Sequence, residues 1–398
     1  MAPSAYLDYN ATAPIRPAAA AAVNEALALG GNPSSVHGFG RAARARLEDA
    51  RDSVAALAGA RPEQLVFTSG GTEANNLALS WAREGRVLVS AGEHSSILEA
   101  APRGERVPLK GDGQVDLAAL EELLAKTPLP SLVSLMLANN ETGVIQPLAE
   151  AARLARAAGV PVHCDAVQAA GKVALDTEDL GVQLLSLSAH KIGGPAGVGA
   201  LVVAEDLALE PLLRGGGQER RRRAGTENLA GIAGFAAAAR EAAGELSQFA
   251  RLARLRDRIE AEAKAIAPEV RVFGDDAARL ANTSCLAMPG VRAETQVMAL
   301  DLAGVAVSAG AACSSGKVAP SHVLQAMGVG AELADGAIRV SLGWASGPED
   351  VDLFLAAWAE LYAKTRQANR GANRGAGPQG RDDALASADS SGYLDDGT

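Results

Sequence analysis

The chain has 398 residues, 48% of them hydrophobic and 21% charged, with a net charge of −10. This length suits two or three modules, and the acidic balance argues against a general affinity for nucleic acid or an anionic membrane. Cys164, Cys285 and Cys313 form no CxxC pair and no Cys/His cluster, which argues against a disulfide scaffold or zinc site; with no long apolar run and no signal-peptide pattern in residues 1–9, a reducing cytoplasm is the expected location.

Helical periodicity predicts helices over 41–57 and 73–83, with a strand over 65–67 between them. A short apolar strand over 87–90, a helix over 117–125, a strand over 131–137, a helix over 148–158 and a strand over 161–164 follow. Two more strands are predicted over 184–188 and 199–203. Short apolar strands separated by amphipathic helices predict an α/β large domain with a mostly parallel sheet covered on both faces. A helical stretch over 229–266 reads as a connector. Beyond it, strands near Val270, Ser284, Val305 and 338–342 alternate with helices near Glu294, His322 and 348–365, a smaller α+β domain. The expected division is an N-terminal segment to residue 15 packing with the small domain, a large domain over 16–250, a small domain over 251–365 and a tail over 366–398. The tail is rich in Gly, Ala, Asn, Asp and Ser and is expected to be disordered.

Four pieces of chemistry fall at the C-terminal ends of successive predicted strands, where open α/β sheets place their ligands. In Thr68-Ser69-Gly70-Gly71-Thr72-Glu73, glycines let a backbone approach an anion, and the free N–H groups of the helix start with the Thr72 hydroxyl suit a phosphate; a plain helix cap is the alternative. His94, just after a strand, suits stacking on a flat cofactor and proton transfer, or is a structural histidine. Asp165 suits pairing with a pyridinium nitrogen, with Gln168 in reach of the ring's phenolic oxygen, or caps the next turn. In Ser186-Leu187-Ser188-Ala189-His190-Lys191, a lysine at the end of a buried strand has a depressed pKa suited to Schiff-base formation, with Ser188 and His190 beside it for a phosphate; a snorkelling lysine is the alternative. Phosphate cup, stacking histidine, aspartate and lysine together describe one pyridoxal 5'-phosphate site.

With these residues in view, the chain resembles the class V aminotransferase group, and within it the group I cysteine desulfurases of the NifS/IscS type, over about residues 5 to 362. The resemblance is carried by Tyr6-Leu7-Asp8-Tyr9-Asn10-Ala11-Thr12-Ala13-Pro14, Asn32-Pro33-Ser34-Ser35-x-His37, Asn139-Asn140-Glu141-Thr142-Gly143, Arg223-Ala224-Gly225-Thr226-Glu227-Asn228 and Ser341-Leu342-Gly343. It implies the pyridoxal-phosphate fold type I and covalent attachment of the cofactor to Lys191. It implies a phosphate held by Gly71, Thr72, Ser188 and His190, and a ring bound by Asp165 and Gln168 under His94. Thr226 would reach the phosphate of the partner subunit, implying a homodimer. Asn140 and Arg339, the latter placed just before a strand over 340–342, would contact the substrate carboxylate, a job suited to a guanidinium.

Cys313 chooses the reaction. It lies in Ser308-Ala309-Gly310-Ala311-Ala312-Cys313-Ser314-Ser315-Gly316-Lys317, small residues that predict a mobile, exposed loop, whereas Cys164 and Cys285 sit in apolar runs as inert thiols. The resemblance implies that L-cysteine is the substrate, that Lys191 and His94 move protons, and that the Cys313 thiolate takes the sulfur as a persulfide, leaving alanine. An acceptor protein such as an iron–sulfur scaffold would then receive it, with no direct role for nucleic acid or membrane. The chain departs from the family pattern at Ala189, usually glycine, and at Arg221 and Arg222, usually glycine and an aliphatic residue; a solvated loop or an altered partner surface are the readings of the two arginines. An aminotransferase or β-lyase, a selenocysteine lyase side activity and a non-catalytic sulfur-transfer scaffold are the competing functions. A NAD dehydrogenase is disfavoured because no strand is followed by GxGxxG.

Overall fold

Runs of Leu, Val and Ala without intervening charge form strands buried on both faces, and these dominate the first half of the chain. The computed structural model describes residues 4–82, 84–310 and 320–375, with side chains through residue 367. After β1 (Ala5–Tyr6) come β2 (Leu65–Thr68), β3 (Val87–Ser90), β4 (Glu105–Val107), β5 (Leu132–Met136), β6 (Val162–Asp165), β7 (Leu184–Ser188) and β8 (Gly199–Val203). β2 to β8 form one seven-stranded sheet in the order β2-β8-β7-β6-β5-β3-β4. Only β8 runs antiparallel to its neighbours; the other neighbouring pairs are parallel. Every residue of β5, β7 and β8 is buried, as a sheet covered on both faces requires.

The covering helices are amphipathic. Gly38–Leu57 turns Ala43, Leu47, Ala50, Val54 and Leu57 inward at helical spacing. Leu229–Gly244 is buried along most of its length, and its close approach to Pro17–Leu29 depends on Gly234. A Cβ there would lie 2.6 Å from Val23 Cγ2 and 2.9 Å from Pro195 Cδ. The connector expected as one helical stretch is instead three helices, Leu229–Gly244, Leu246–Phe249 and Leu252–Ile266. The first break falls at Gly244, a weak helix former, beside Glu245, whose carboxylate is held by Arg16 at 2.7 Å.

The small domain is α+β. β9 (Arg271–Val272), β10 (Thr283–Ala287), β12 (Ser308–Ala309) and β13 (Ala337–Ser341) make an antiparallel sheet in the order β12-β13-β10-β9. β11 (Val305–Ala306) pairs in parallel with β1, so the N-terminal segment adds to this domain. Leu286, Ile338, Val340, Val351, Phe354 and Trp358 fill its core, with the last two rings stacked 6.2 Å apart. The final helix, expected to end near 365, runs Pro348–Gly375, so residues 367–375 are helical rather than disordered. Gln367, Ala368 and Arg370 are good helix formers that extend a helix already nucleated by packing. Residues 376–398 lie outside the described residues.

Three strands of the large sheet share one buried polar link. His163 of β6 meets Ser134 Oγ of β5 through Nδ1 and Ser186 Oγ of β7 through Nε2, both at 2.9 Å. Burial pushes the imidazole down to about 3 from its ordinary 6.5. The folded protein therefore keeps this ring neutral while the unfolded chain protonates it below 6.5. Its contribution to stability is complete above that pH and is lost as pH falls towards 3. A His163→Gln variant removes the titration. The stability difference between the two proteins, measured by urea denaturation, is expected to shrink by about 1.4 kcal/mol per pH unit below 6.5. A difference that stays constant down to about pH 4 would refute the buried neutral histidine.

Candidate active site

The C-terminal ends of the large-sheet strands converge on one region, beginning at the turn after β2. Gly70 there has φ 151°, a conformation open to glycine, and it precedes the helix Gly71–Ser80. No side chain caps this helix start, so its first-turn N–H groups remain available to an anion. A Cβ on Gly71 would lie 2.9 Å from Val167 Cγ2 and 3.4 Å from Ser188 Cβ, which makes glycine the residue that lets this backbone lie against the ends of β6 and β7. Thr72 is the second helical residue, exposed at the same turn and not a cap, and Ser188 is the buried last residue of β7. Ala189 is fully buried behind it, so its extra methyl is absorbed by packing.

Asp165 ends β6 and accepts on both oxygens. Oδ1 takes the Val167 N–H at 2.9 Å, the turn-capping bond, and Oδ2 takes Asn75 Nδ2 at 2.8 Å. Glu93 lies beneath it, fully buried, its Oε1 accepting the Met136 N–H at 2.6 Å. Burial, then the charge of Asp165, pushes the Glu93 carboxyl well above the usual range. His94 follows. Its ring keeps accessible surface, yet the protein atoms crowded around it lower its pKa, and the charges of Asp165 and Lys191 both act on it.

Lys191 closes the short turn Ala189–Lys191 after β7. Its Nζ donates to the backbone carbonyls of Asn10 at 2.7 Å and Ala11 at 2.9 Å. Burial and then the Arg339 charge lower its pKa to about 8, against the opposing pull of Asp165 and Asp8. His190 is hydrogen-bonded through Nδ1 to Thr12 Oγ1 at 2.8 Å, and burial brings its pKa down to about 4. Gln168 is engaged at both ends, Nε2 donating to the Asn10 carbonyl at 2.9 Å and Oε1 accepting from Lys172 Nζ at 2.8 Å. Sequence reasoning assigned no role to Asn10, Asn75, Glu93 or Lys172.

Arg339 is corrected in place and surroundings. It lies in the middle of β13, within the strand expected over 338–342 and not before one over 340–342. The side chain is buried, with Nη2 donating to Asp8 Oδ1 at 2.7 Å and Nη1 to the Asn140 carbonyl at 3.2 Å, while Nε is buried without a hydrogen-bond partner among the described residues. Thr226 is exposed, three residues past Arg223, whose Nε donates to Glu73 Oε1 at 3.0 Å. Upstream, Glu219, Arg220 and Arg221 have φ of 45°, 54° and 65°, three left-handed residues with no glycine among them. Glu219 is buried and takes both Arg51 nitrogens, Nη1 and Nη2, at 2.9 Å together with the Phe67 N–H. Arg221 is exposed and Arg222 reaches the Glu63 carbonyl at 3.4 Å. Cys164 and Cys285 are buried, and burial pushes both thiols up. Cys313 lies outside the described residues.

The profile of the Aminotransferase class-V family matches residues 5–354. The chain belongs to the class-V aminotransferase family. Among curated relatives of this class-V chain is an IscS-like cysteine desulfurase from Mycobacterium tuberculosis, 42% identical over 92% of this chain and 98% of that protein. A cysteine desulfurase from Cereibacter sphaeroides is 44% identical over 88% of this chain and 93% of the relative. The solved structure of a NifS-like protein from Rickettsia africae superposes with a TM-score of 0.85 at 35% identity, over 91% of this chain and 100% of that one. This member of the class-V family is therefore a fold type I enzyme that uses pyridoxal 5'-phosphate. The residues fit that group: an uncapped helix start with a glycine cradle for a phosphate, a carboxylate for a ring nitrogen and a buried amine for the aldehyde carbon.

The lowered pKa of Lys191 sets a pH dependence. Only the neutral amine attacks an aldehyde, so the reactive fraction rises about tenfold per pH unit below about 8 and levels off above it. Uptake of pyridoxal 5'-phosphate by cofactor-stripped protein, followed by visible absorbance, is expected to accelerate towards pH 8 and then plateau. A rate that keeps climbing to about pH 10, where an ordinary lysine titrates, would show that the amine is not depressed.

Proposed function

We propose that this chain is a cysteine desulfurase, which takes sulfur from L-cysteine, releases L-alanine and carries the sulfur as a persulfide on Cys313. The observation that carries the reading is the buried Lys191 amine, its pKa lowered to about 8 first by burial and opposed by the charge of Asp165, in a chain whose relatives are named cysteine desulfurases. Bound pyridoxal 5'-phosphate supplies the electron sink that weakens the substrate's bonds next to its amino-bearing carbon. Gly71, Thr72, Ser188 and His190 hold the phosphate, with Thr226 of a second copy completing the cup. Asp165 serves the ring nitrogen, Gln168 the phenolic oxygen, and His94 covers the ring. Asn140 and Arg339 hold the substrate carboxylate; because Arg339 is paired with Asp8, it offers the buried Nε or exchanges that partner on binding. Lys191 and His94 are the proton-carrying groups at the reacting carbon.

Cys313 completes the chemistry. Its thiolate attacks the substrate sulfur, an S–S bond forms as the C–S bond breaks, and the carbon left behind gains a proton to become alanine. The persulfide then passes to an acceptor protein such as an iron–sulfur scaffold. The active form is a homodimer in the cytoplasm; no helix among the described residues is long and apolar enough to cross a membrane.

Incubation with L-cysteine and reductant, with alanine and sulfide measured together, tests the activity. A Cys313→Ser protein is expected to bind cofactor and substrate but form no alanine; full alanine production would sink the role of this thiol. A Lys191→Ala protein is expected to lose the visible band of the lysine-bound cofactor, and an unchanged spectrum would refute that attachment.

A further inference from the structure

A chain of hydrogen bonds runs behind His94, and its direction is fixed by the groups it joins. Asn75, on the helix Gly71–Ser80, is buried, and its Nδ2 donates to Asp165 Oδ2 at 2.8 Å and to Ser96 Oγ at 2.9 Å. Ser96 Oγ lies 2.9 Å from His94 Nδ1, and the Ser96 backbone N–H donates to the same nitrogen at 3.1 Å. A carboxylate only accepts, so Asn75 must turn its NH₂ to Asp165. Both N–H groups are then used, and the remaining Asn75 Oδ1 is buried without a partner among the described residues. That orphan is tolerated because the flipped amide would set its oxygen against the Asp165 oxygen. Ser96 Oγ already accepts from Asn75, which leaves its own proton for His94 Nδ1. A backbone N–H cannot accept, so Nδ1 is an acceptor whichever way the serine turns.

We infer that Asn75 and Ser96 are positioning residues that transmit the polarity of Asp165 to His94 and hold its imidazole neutral with the proton on Nε2. This deepens the proposed function and rests on it for the place of His94 over the cofactor. At the start of a turnover Nε2 can donate a hydrogen bond and cannot accept a proton. Lys191 is then the group that takes the substrate's proton, and His94 enters as a donor. The surroundings agree with a neutral ring: crowding by protein lowers the pKa first, Asp165 opposes it, and Lys191 and His322 add to it, His322 itself lying 2.9 Å from the Glu93 carbonyl through Nε2.

The test is nuclear magnetic resonance of the holoenzyme with nitrogen-labelled histidine. The His94 signals are assigned by their loss in His94→Gln, and the visible cofactor band is recorded on the same samples. Wild type is expected to show a bare Nδ1 and a protonated Nε2 at neutral and alkaline pH. Ser96→Ala removes one donor to the bare nitrogen and is expected to raise the His94 midpoint by about 0.5 to 1 pKa unit. Ser96→Thr, which keeps the hydroxyl, is expected to restore the wild-type midpoint. A proton on Nδ1 in wild type, or an unchanged midpoint in Ser96→Ala, overturns the inference. Absence of the visible band overturns the cofactor site instead, since the tautomer is read from His94 alone.

Discussion

Two backbone carbonyls, those of Asn10 and Ala11, hold the Lys191 amine, and the site depends on where that short N-terminal stretch is anchored. Asn10 is tied to both domains. Its backbone N–H donates to Ser341 Oγ in β13, its Nδ2 to the Asn140 carbonyl and Thr283 Oγ1, and its Oδ1 accepts from Lys172 and Asn282. One residue thus sets the position of the Lys191 amine relative to the large-sheet edge and to the strand that bears Arg339. Burying so many polar groups is tolerable only because nearly all of them are paired.

The same burial sorts the titratable groups. Lys172, buried, is driven well below the ordinary lysine range by desolvation and then by Lys191 and Arg339. Its Nζ donates to Asn10 Oδ1 at 2.9 Å and to Gln168 Oε1 at 2.8 Å. Glu93 is pushed well above the carboxylate range, and Glu141, hydrogen-bonded by Ser321, is raised to about 7 by burial.

Much of this was legible in the sequence, for definite reasons. β3, β7 and β8 fall on the predicted residues because each is a short apolar run between polar breaks. That Gly71, Asp165, Ser188 and Lys191 come close together was readable because each ends or closely follows a predicted strand of one sheet. The supporting residues were not. Lys172 and Asn10 meet across 162 positions and Asn75 and Asp165 across 90, so no local pattern announces them. The turn at Glu219 left no trace either, since left-handed backbone usually advertises itself through glycine.

That turn has a consequence for engineering the protein. Glu219 cannot be exchanged lightly, because its carboxylate is the sole carboxylate facing the buried side of Arg51 among the described residues, with Glu48 on the exposed side. Its two successors are different: Arg220 and Arg221 are exposed and occupy left-handed backbone at a cost of about 1–2 kcal/mol each. Glycine loses only about 0.5–1 kcal/mol of chain entropy. Here, against the usual rule, the more flexible residue makes the stiffer fold, and these two positions are where a thermostabilised form is most cheaply sought.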